Sequence, residues 1–284
     1  MEIILAKSAG FCFGVKRATQ MAFDAAGKHE QISSLGPLIH SPQMVEKLEQ
    51  EGVRVCHQVE DISDGAVVIR SHGVTAQEVE EIEQSGLLVV DATCPFVKKA
   101  QKHADMLSRE GYLLVLVGEA NHPEVRGIVS YAKGDVRIVA TPQEAGKLPK
   151  GGKIAMVAQT TQSLENFSEI VAVCLTKAKE LRVFNTICDA TSVRQNEARQ
   201  IAGKVDLMLV IGGFNSANTS RLANLCKEVQ PCTYHVETGD QLLPDWFEGK
   251  EKVGITAGAS TPLWIVEDVM KKVKTYSCVI DKKV

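Results

Sequence analysis

The sequence predicts an α/β protein built as three small, related domains with mostly parallel sheets, and three observations carry that prediction. Short, almost wholly apolar runs alternate with amphipathic helical stretches, as expected for strands covered on both faces and joined by helices. The 284 residues exceed one ordinary domain. One pattern also recurs three times: Cys12, Cys94 and Cys188 are each followed twenty-four residues on by a glycine (Gly36, Gly118, Gly212) and twenty-eight residues on by a polar side chain (His40, His122, Ser216).

Taken in order, the first seven residues read as a strand, and apolar runs at 32–35, 66–70, 87–91, 113–117, 136–140, 154–158, 207–211 and 253–256 read as its successors. Helical patterns occupy 15–26, 45–51, 76–85, 97–110, 164–181, 193–202 and 219–228. No long linker or low-complexity segment marks a boundary, so the repeat sets the divisions: 1–94, 95–187, and 188–284 with a C-terminal tail. The text around the cysteines supports duplication. Cys12-Phe13-Gly14-Val15-Lys16-Arg17-Ala18 parallels Cys94-Pro95-Phe96-Val97-Lys98-Lys99-Ala100, and Cys188-Asp189-Ala190-Thr191-Ser192-Val193-Arg194 follows more loosely. The expected arrangement is a pseudo-threefold ring with the cysteines near its centre.

Composition narrows the function. An apolar share of 44% and a charged share of 24% fit a soluble globular protein. No stretch approaches the roughly 20 apolar residues of a membrane span, and the first residues lack a basic leader, so a cytoplasmic location is expected. A net charge of −3 without a long basic run argues against nucleic acid as a partner.

The eight cysteines are too scattered for a disulfide scaffold and contain no C-x-x-C pair. Cys56, Cys174, Cys226, Cys232 and Cys278 have no place in the repeat, and Cys174 and Cys226 lie in apolar helical text as small buried hydrophobes. Cys12, Cys94 and Cys188 each precede a helix, where exposed amides favour a thiolate. Three soft ligands at one point select zinc, Cu(I) or an iron–sulfur cluster. Structural zinc wants four protein ligands. A [4Fe–4S] cluster held by three cysteines leaves one iron for a substrate oxygen; zinc with three thiolates and a water is the other option.

A second set of residues consists of neutral donors at the ends of strands: His40, His72, His122, Ser216, Asn218 and Ser260, with Thr160 alongside. Several stand in strand–Gly–polar–helix turns, which aim backbone amides and side chains at an anion. Glu124, in the first turn of a helix after His122-Pro123, is the carboxylate closest to the presumed axis.

These residues form motifs that resemble a known family, the 4-hydroxy-3-methylbut-2-enyl diphosphate reductases, over essentially the whole chain. The motifs are Gly10-Phe11-Cys12-Phe13-Gly14-Val15, Ser71-His72-Gly73-Val74, Asp91-Ala92-Thr93-Cys94-Pro95, Asn121-His122-Pro123-Glu124-Val125, Ala158-Gln159-Thr160-Thr161, Asn215-Ser216-Ala217-Asn218 and Thr256-Ala257-Gly258-Ala259-Ser260. The resemblance implies a trefoil of three α/β domains around a central, oxygen-sensitive [4Fe–4S] iron–sulfur cluster, one per chain, ligated by Cys12, Cys94 and Cys188. It implies that His40, His72, His122, Ser216, Asn218 and Ser260 hold the diphosphate, that Thr160 and Glu124 serve the reacting hydroxyl, and that Thr191 lies near it. Many members have a second serine where this chain has Ala217, which leaves only the backbone amide for phosphate there. The implied activity is reductive removal of the allylic hydroxyl to give isopentenyl and dimethylallyl diphosphates, the last step of the methylerythritol phosphate route, with ferredoxin or flavodoxin as electron donor.

Two other readings compete. A three-domain [4Fe–4S] dehydratase of the quinolinate synthase type also resembles one cysteine per domain, but it would need carboxylate-binding groups in place of the diphosphate cage. A non-catalytic iron–sulfur sensor would need a partner-reading motif, and none is legible.

Overall fold

All strand pairs in the computed structural model run parallel. It describes residues 1–280; the expected tail at 281–284 and the side chain of Cys278 lie outside the described residues. In chain order the elements begin β1 (Glu2–Leu5), α1 (Phe13–Ala26), β2 (Ile32–Leu35), α2 (Pro42–Gln50), β3 (Val53–Cys56), β4 (Ala66–Ile69), α3 (Ala76–Ser85) and β5 (Leu88–Asp91). They continue with α4 (Pro95–Arg109), β6 (Leu113–Val117), α5 (Pro123–Ser130), β7 (Val136–Val139), α6 (Pro142–Ala145), β8 (Lys153–Ala158), α7 (Leu164–Leu175) and β9 (Glu180–Val183). The last are α8 (Asp189–Ala202), β10 (Leu207–Ile211), α9 (Ala217–Val229), β11 (Thr233–Val236), β12 (Lys252–Ala257) and α10 (Leu263–Ile280).

The strands form three sheets of one design, ordered β3-β2-β4-β5, β7-β6-β8-β9 and β11-β10-β12-β1. The repeat read from the cysteines is therefore a repeat of topology, and the expected α/β class with mostly parallel sheets is the observed one, as three sheets of like order. The third sheet takes its outer strand from the far end of the chain: β1 pairs with β12, Ile3 opposite Val253. Residues 2–5 thus complete a sheet whose other strands all follow residue 206.

The chain divides into two compact units. One comprises residues 1–16, 40–45 and everything from Asp189 onward, and contains the third sheet. The other comprises 17–39 and 46–188, and contains the first two sheets.

Within the second unit, β6 and β8 show why apolar runs become central strands. Alternate side chains point to opposite faces, so Leu114 and Leu116 pack with Ala100, Ala104 and Leu107 of α4 and Val125 and Ile128 of α5. Val115 and Val117 pack on the other face with Phe167 and Ile170 of α7. The third sheet is built alike: Leu207, Leu209 and Ile211 pack with Val266, Val269 and Val273 of α10. Met208 and Val210 meet Ala198 and Ala202 of α8 and Leu222 and Cys226 of α9. Cys56, Cys174 and Cys226 are buried in these cores, as read from the sequence for the latter two.

Two differences from the expected elements have simple causes. The helix expected over 164–181 ends at Leu175, where the Thr176 hydroxyl turns back to donate to Val173 O at 2.8 Å. Lys179 N–H then donates to Gly152 O, and the chain enters β9 against β8. The strands β3, β9 and β11, three of the six edge strands, escape the sequence reading because their text is not apolar enough. There Val-Arg-Val-Cys, Glu-Leu-Arg-Val and Thr-Tyr-His-Val carry polar residues that a central strand would exclude.

Candidate active site

Every residue singled out above sits beyond the carboxyl end of a strand, the edge at which open parallel sheets bind ligands. The three sheets place them at matching positions. The residue following β2, β6 and β10 is Gly36, Gly118 and Gly212, and the fifth is His40, His122 and Ser216. At Gly212 the backbone has φ +144°, and a Cβ would stand 2.5 Å from Thr261 Oγ1, so no other residue fits without strain.

The cysteines stand directly before helices. Cys12, Cys94 and Cys188 immediately precede α1, α4 and α8, which start two to four residues earlier than their apolar patterns suggest. Each backbone N–H is bound in the same way. Cys12 N donates to Ala259 O (3.1 Å), Cys94 N to Ser71 O (2.9 Å) and Cys188 N to Thr160 O (3.0 Å). The acceptors are in each case the second residue after β12, β4 and β8. Ser71, Thr160 and Ala259 are therefore counterparts in the three sheets.

None of the three cysteines is in a disulfide, and all are partly exposed. Among the described residues, no group of three His, Cys, Asp or Glu side chains is arranged to hold a single metal ion. Partly exposed thiols at helix starts are the donor type that iron–sulfur clusters use.

In the second unit, Glu124 and Thr160 meet. Glu124 lies in the first turn of α5, only 2% exposed. Thr160 N–H donates to Glu124 Oε1 at 2.6 Å and its hydroxyl donates to Oε2 at 2.8 Å. Burial pushes the Glu124 carboxyl up to about 7, although both bonds from Thr160 favour the charged form. His122 is the N-cap of α5, its Nδ1 accepting from Glu124 N–H at 3.1 Å, which leaves the ring proton on Nε2. The His72 and His122 rings approach edge to face, centroids 5.6 Å apart. Gln159, fully buried, accepts from Glu119 N–H through Oε1 and ties the two loops together.

In the first unit, Ser260 Oγ donates to His40 O at 3.0 Å, and Gly213 approaches the same carbonyl closely. Ser216 caps α9 by accepting from Thr219 N–H, and the Thr219 hydroxyl donates to it as well (3.0 Å). Ala217 opens the helix. Asn218 is buried with both amide atoms unpartnered, an arrangement that costs stability unless a ligand meets them. Thr191 is buried in the first turn of α8. Sequence reasoning passed over Arg17 and Arg194 as ordinary members of helical text; in the structure Arg194 is buried and Arg17 half-buried.

The fold is thus α/β, with a cysteine directly before each of three helices and, in the second unit, a buried carboxyl near neutrality. The model described as LytB protein matches residues 3–274, and the chain belongs to this family. A 4-hydroxy-3-methylbut-2-enyl diphosphate reductase of Syntrophotalea carbinolica is 63% identical over 278 residues, 98% of this chain and the whole of the relative. One of Geobacter sulfurreducens is 59% identical over 276 residues, 97% of this chain and 98% of the relative. Among solved structures, an (E)-4-hydroxy-3-methyl-but-2-enyl diphosphate reductase, described as the terminal enzyme of the non-mevalonate pathway, is 45% identical with a TM-score of 0.71, covering 97% of this chain and all of that one. The Plasmodium falciparum reductase is 28% identical with a TM-score of 0.90, covering 96% and 87%. These relatives favour the reductase over the dehydratase and sensor readings.

Proposed function

We propose that this chain is an iron–sulfur oxidoreductase that reduces (E)-4-hydroxy-3-methylbut-2-enyl diphosphate. Two electrons and two protons remove the allylic hydroxyl as water and give isopentenyl and dimethylallyl diphosphates, ending the methylerythritol phosphate route. The observation that carries the chemistry is the buried Glu124 carboxyl, near 7 and bonded through both oxygens to Thr160. A general acid works best when its pKa lies near the working pH.

Cys12, Cys94 and Cys188 would hold the cluster as a [4Fe–4S] unit. Bound there, it would relay the donor's electrons and offer Lewis-acid chemistry toward the carbon–oxygen bond. The chain's own residues do the rest. With the Thr160 hydroxyl hydrogen turned from Glu124 to the leaving oxygen, protonated Glu124 gives its proton to Thr160 Oγ1 as Thr160 passes its own on; with the hydrogen already on the leaving oxygen this makes water. The second proton ends on carbon. His40, His72, His122, Ser216, Asn218 and Ser260, with the amide of Ala217, hold the diphosphate and so fix the hydroxyl in place. The unpartnered Asn218 amide supports that role. Thr191 borders the hydroxyl.

Ferredoxin or flavodoxin serves as electron donor in this reading, and the location is the cytoplasm. Among the described residues no helix is long and apolar enough to cross a membrane. The test is Glu124→Gln. After anaerobic purification it retains iron, sulfide and substrate binding but loses turnover with a chemical reductant; near-normal turnover removes Glu124 from the mechanism.

A further inference from the structure

Two arginines outside the assigned site hold the loops that carry cysteines. Arg194, on α8 and only 3% exposed, donates from Nη2 to Ser8 O and, at 2.7 Å, to Gly10 O. One turn further along α8, the Glu197 carboxylate accepts from Lys7 N–H (2.8 Å), Ser8 N–H (2.9 Å) and the Ser8 hydroxyl (2.5 Å). Burial pushes that carboxyl up, but the Ser8 and Lys7 donors outweigh it and hold it below the ordinary range. One face of α8 thus grips both the carbonyls and the amides of the turn that leads into Cys12. Gly10 makes the turn possible, at φ +98°.

Arg17, on α1, treats another loop alike. Its Nη1 donates to Thr93 O (3.2 Å) and its Nη2 to Asp91 O (3.4 Å). The Asp91 carboxylate accepts from Thr93 N–H (2.9 Å) and pairs with Lys98 (2.5 Å). These are the residues that end in Cys94.

The sequence positions of the two arginines follow one rule. Arg17 stands five residues after Cys12 and holds the Cys94 loop; Arg194 stands six after Cys188 and holds the Cys12 loop. The helix that starts at one cysteine steadies the loop that ends in another. The third case uses a ring: His103 of α4, the helix that starts after Cys94, stacks on Phe184 in the segment leading to Cys188 (4.2 Å, 32°).

We propose that Arg194 and Arg17 are positioning residues, Arg194 for Cys12 and Arg17 for Cys94. The inference rests on the reading of these cysteines as cluster ligands. A planar guanidinium fixes two carbonyls at once, which a lysine does only in part, and a ligand set must be held within a fraction of an ångström.

The test has two readouts. In metal-free protein, alkylation by iodoacetamide is followed at each cysteine by mass spectrometry; in anaerobically reconstituted protein, iron release to a chelator is timed. Arg194→Met changes the alkylation rate of Cys12 by about tenfold and leaves Cys94 and Cys188 near the parent rate, and Arg17→Met does so for Cys94 alone. Each releases iron about tenfold faster, and the lysine variants fall between. Unchanged rates at the matched cysteine, or an equal change at all three, overturn the proposal. If Arg194→Met does not fold, Arg194→Lys is judged by the same two readouts. A parent protein that binds no iron and sulfide defeats the cluster reading instead, while the alkylation pattern still decides the role of the arginines.

Discussion

Glu124→Gln also tests the burial of that carboxyl, independently of turnover. In the unfolded chain the group titrates near its ordinary 4.5; in the folded protein burial moves it to about 7. Below the lower value it is neutral in both states, and its titration contributes nothing to stability. Between the two values the unfolded state loses its proton while the folded state keeps it, so stability falls as pH rises. The slope is about 1.4 kcal/mol per pH unit and the total about 3 kcal/mol, flat above the folded value. Glutamine has no such charge to bury, and its carbonyl still accepts from Thr160 N–H. Urea denaturation of metal-free parent and variant, measured from about pH 4.5 to about pH 8, should show the parent losing about 3 kcal/mol relative to the variant as pH rises. Two stability curves that stay parallel across this range would refute the buried, raised carboxyl and with it the case for Glu124 as the acid.

Three further outcomes are expected. His122→Asn keeps a good N-cap for α5 but removes the ring, so the helix and iron content should persist while the Kd for diphosphate-bearing ligands rises, as calorimetry would report. Ser216→Ala removes the acceptor for Thr219 N–H and should cost about 1 kcal/mol of stability in denaturant titration, besides weakening the same ligands. Burial pushes the Cys226 thiol up to about 12 and raises Cys174, so native protein at pH 8 should leave both unalkylated while metal-free Cys12, Cys94 and Cys188 react.

Much of this architecture was legible because its physics repeats. Fully apolar runs such as Leu113–Val117 and Leu207–Ile211 can only be central strands of a covered sheet, and they are. The spacing from Cys to Gly to the polar cap survives because each unit folds its loops from the same strand ends. Glu124 and Thr160 were named as a pair and do meet. Half of the edge strands stayed hidden: Thr233–Val236 is half-buried and reads as loop text, because it is settled by its neighbour β10 rather than by its own apolarity. Arg17 and Arg194 were invisible for a related reason. Their partners are backbone carbonyls, which leave no mark on the sequence.

The pairing of β1 with β12 has a consequence for how the molecule comes into being. The ribosome makes Glu2–Leu5 about 250 residues before Lys252–Ile255. Throughout translation β1 waits for its neighbour, and the Cys12 amide waits for the carbonyl of Ala259. A nascent chain stalled before residue 252 can finish the two sheets that present Cys94 and Cys188, but not the one that seats Cys12.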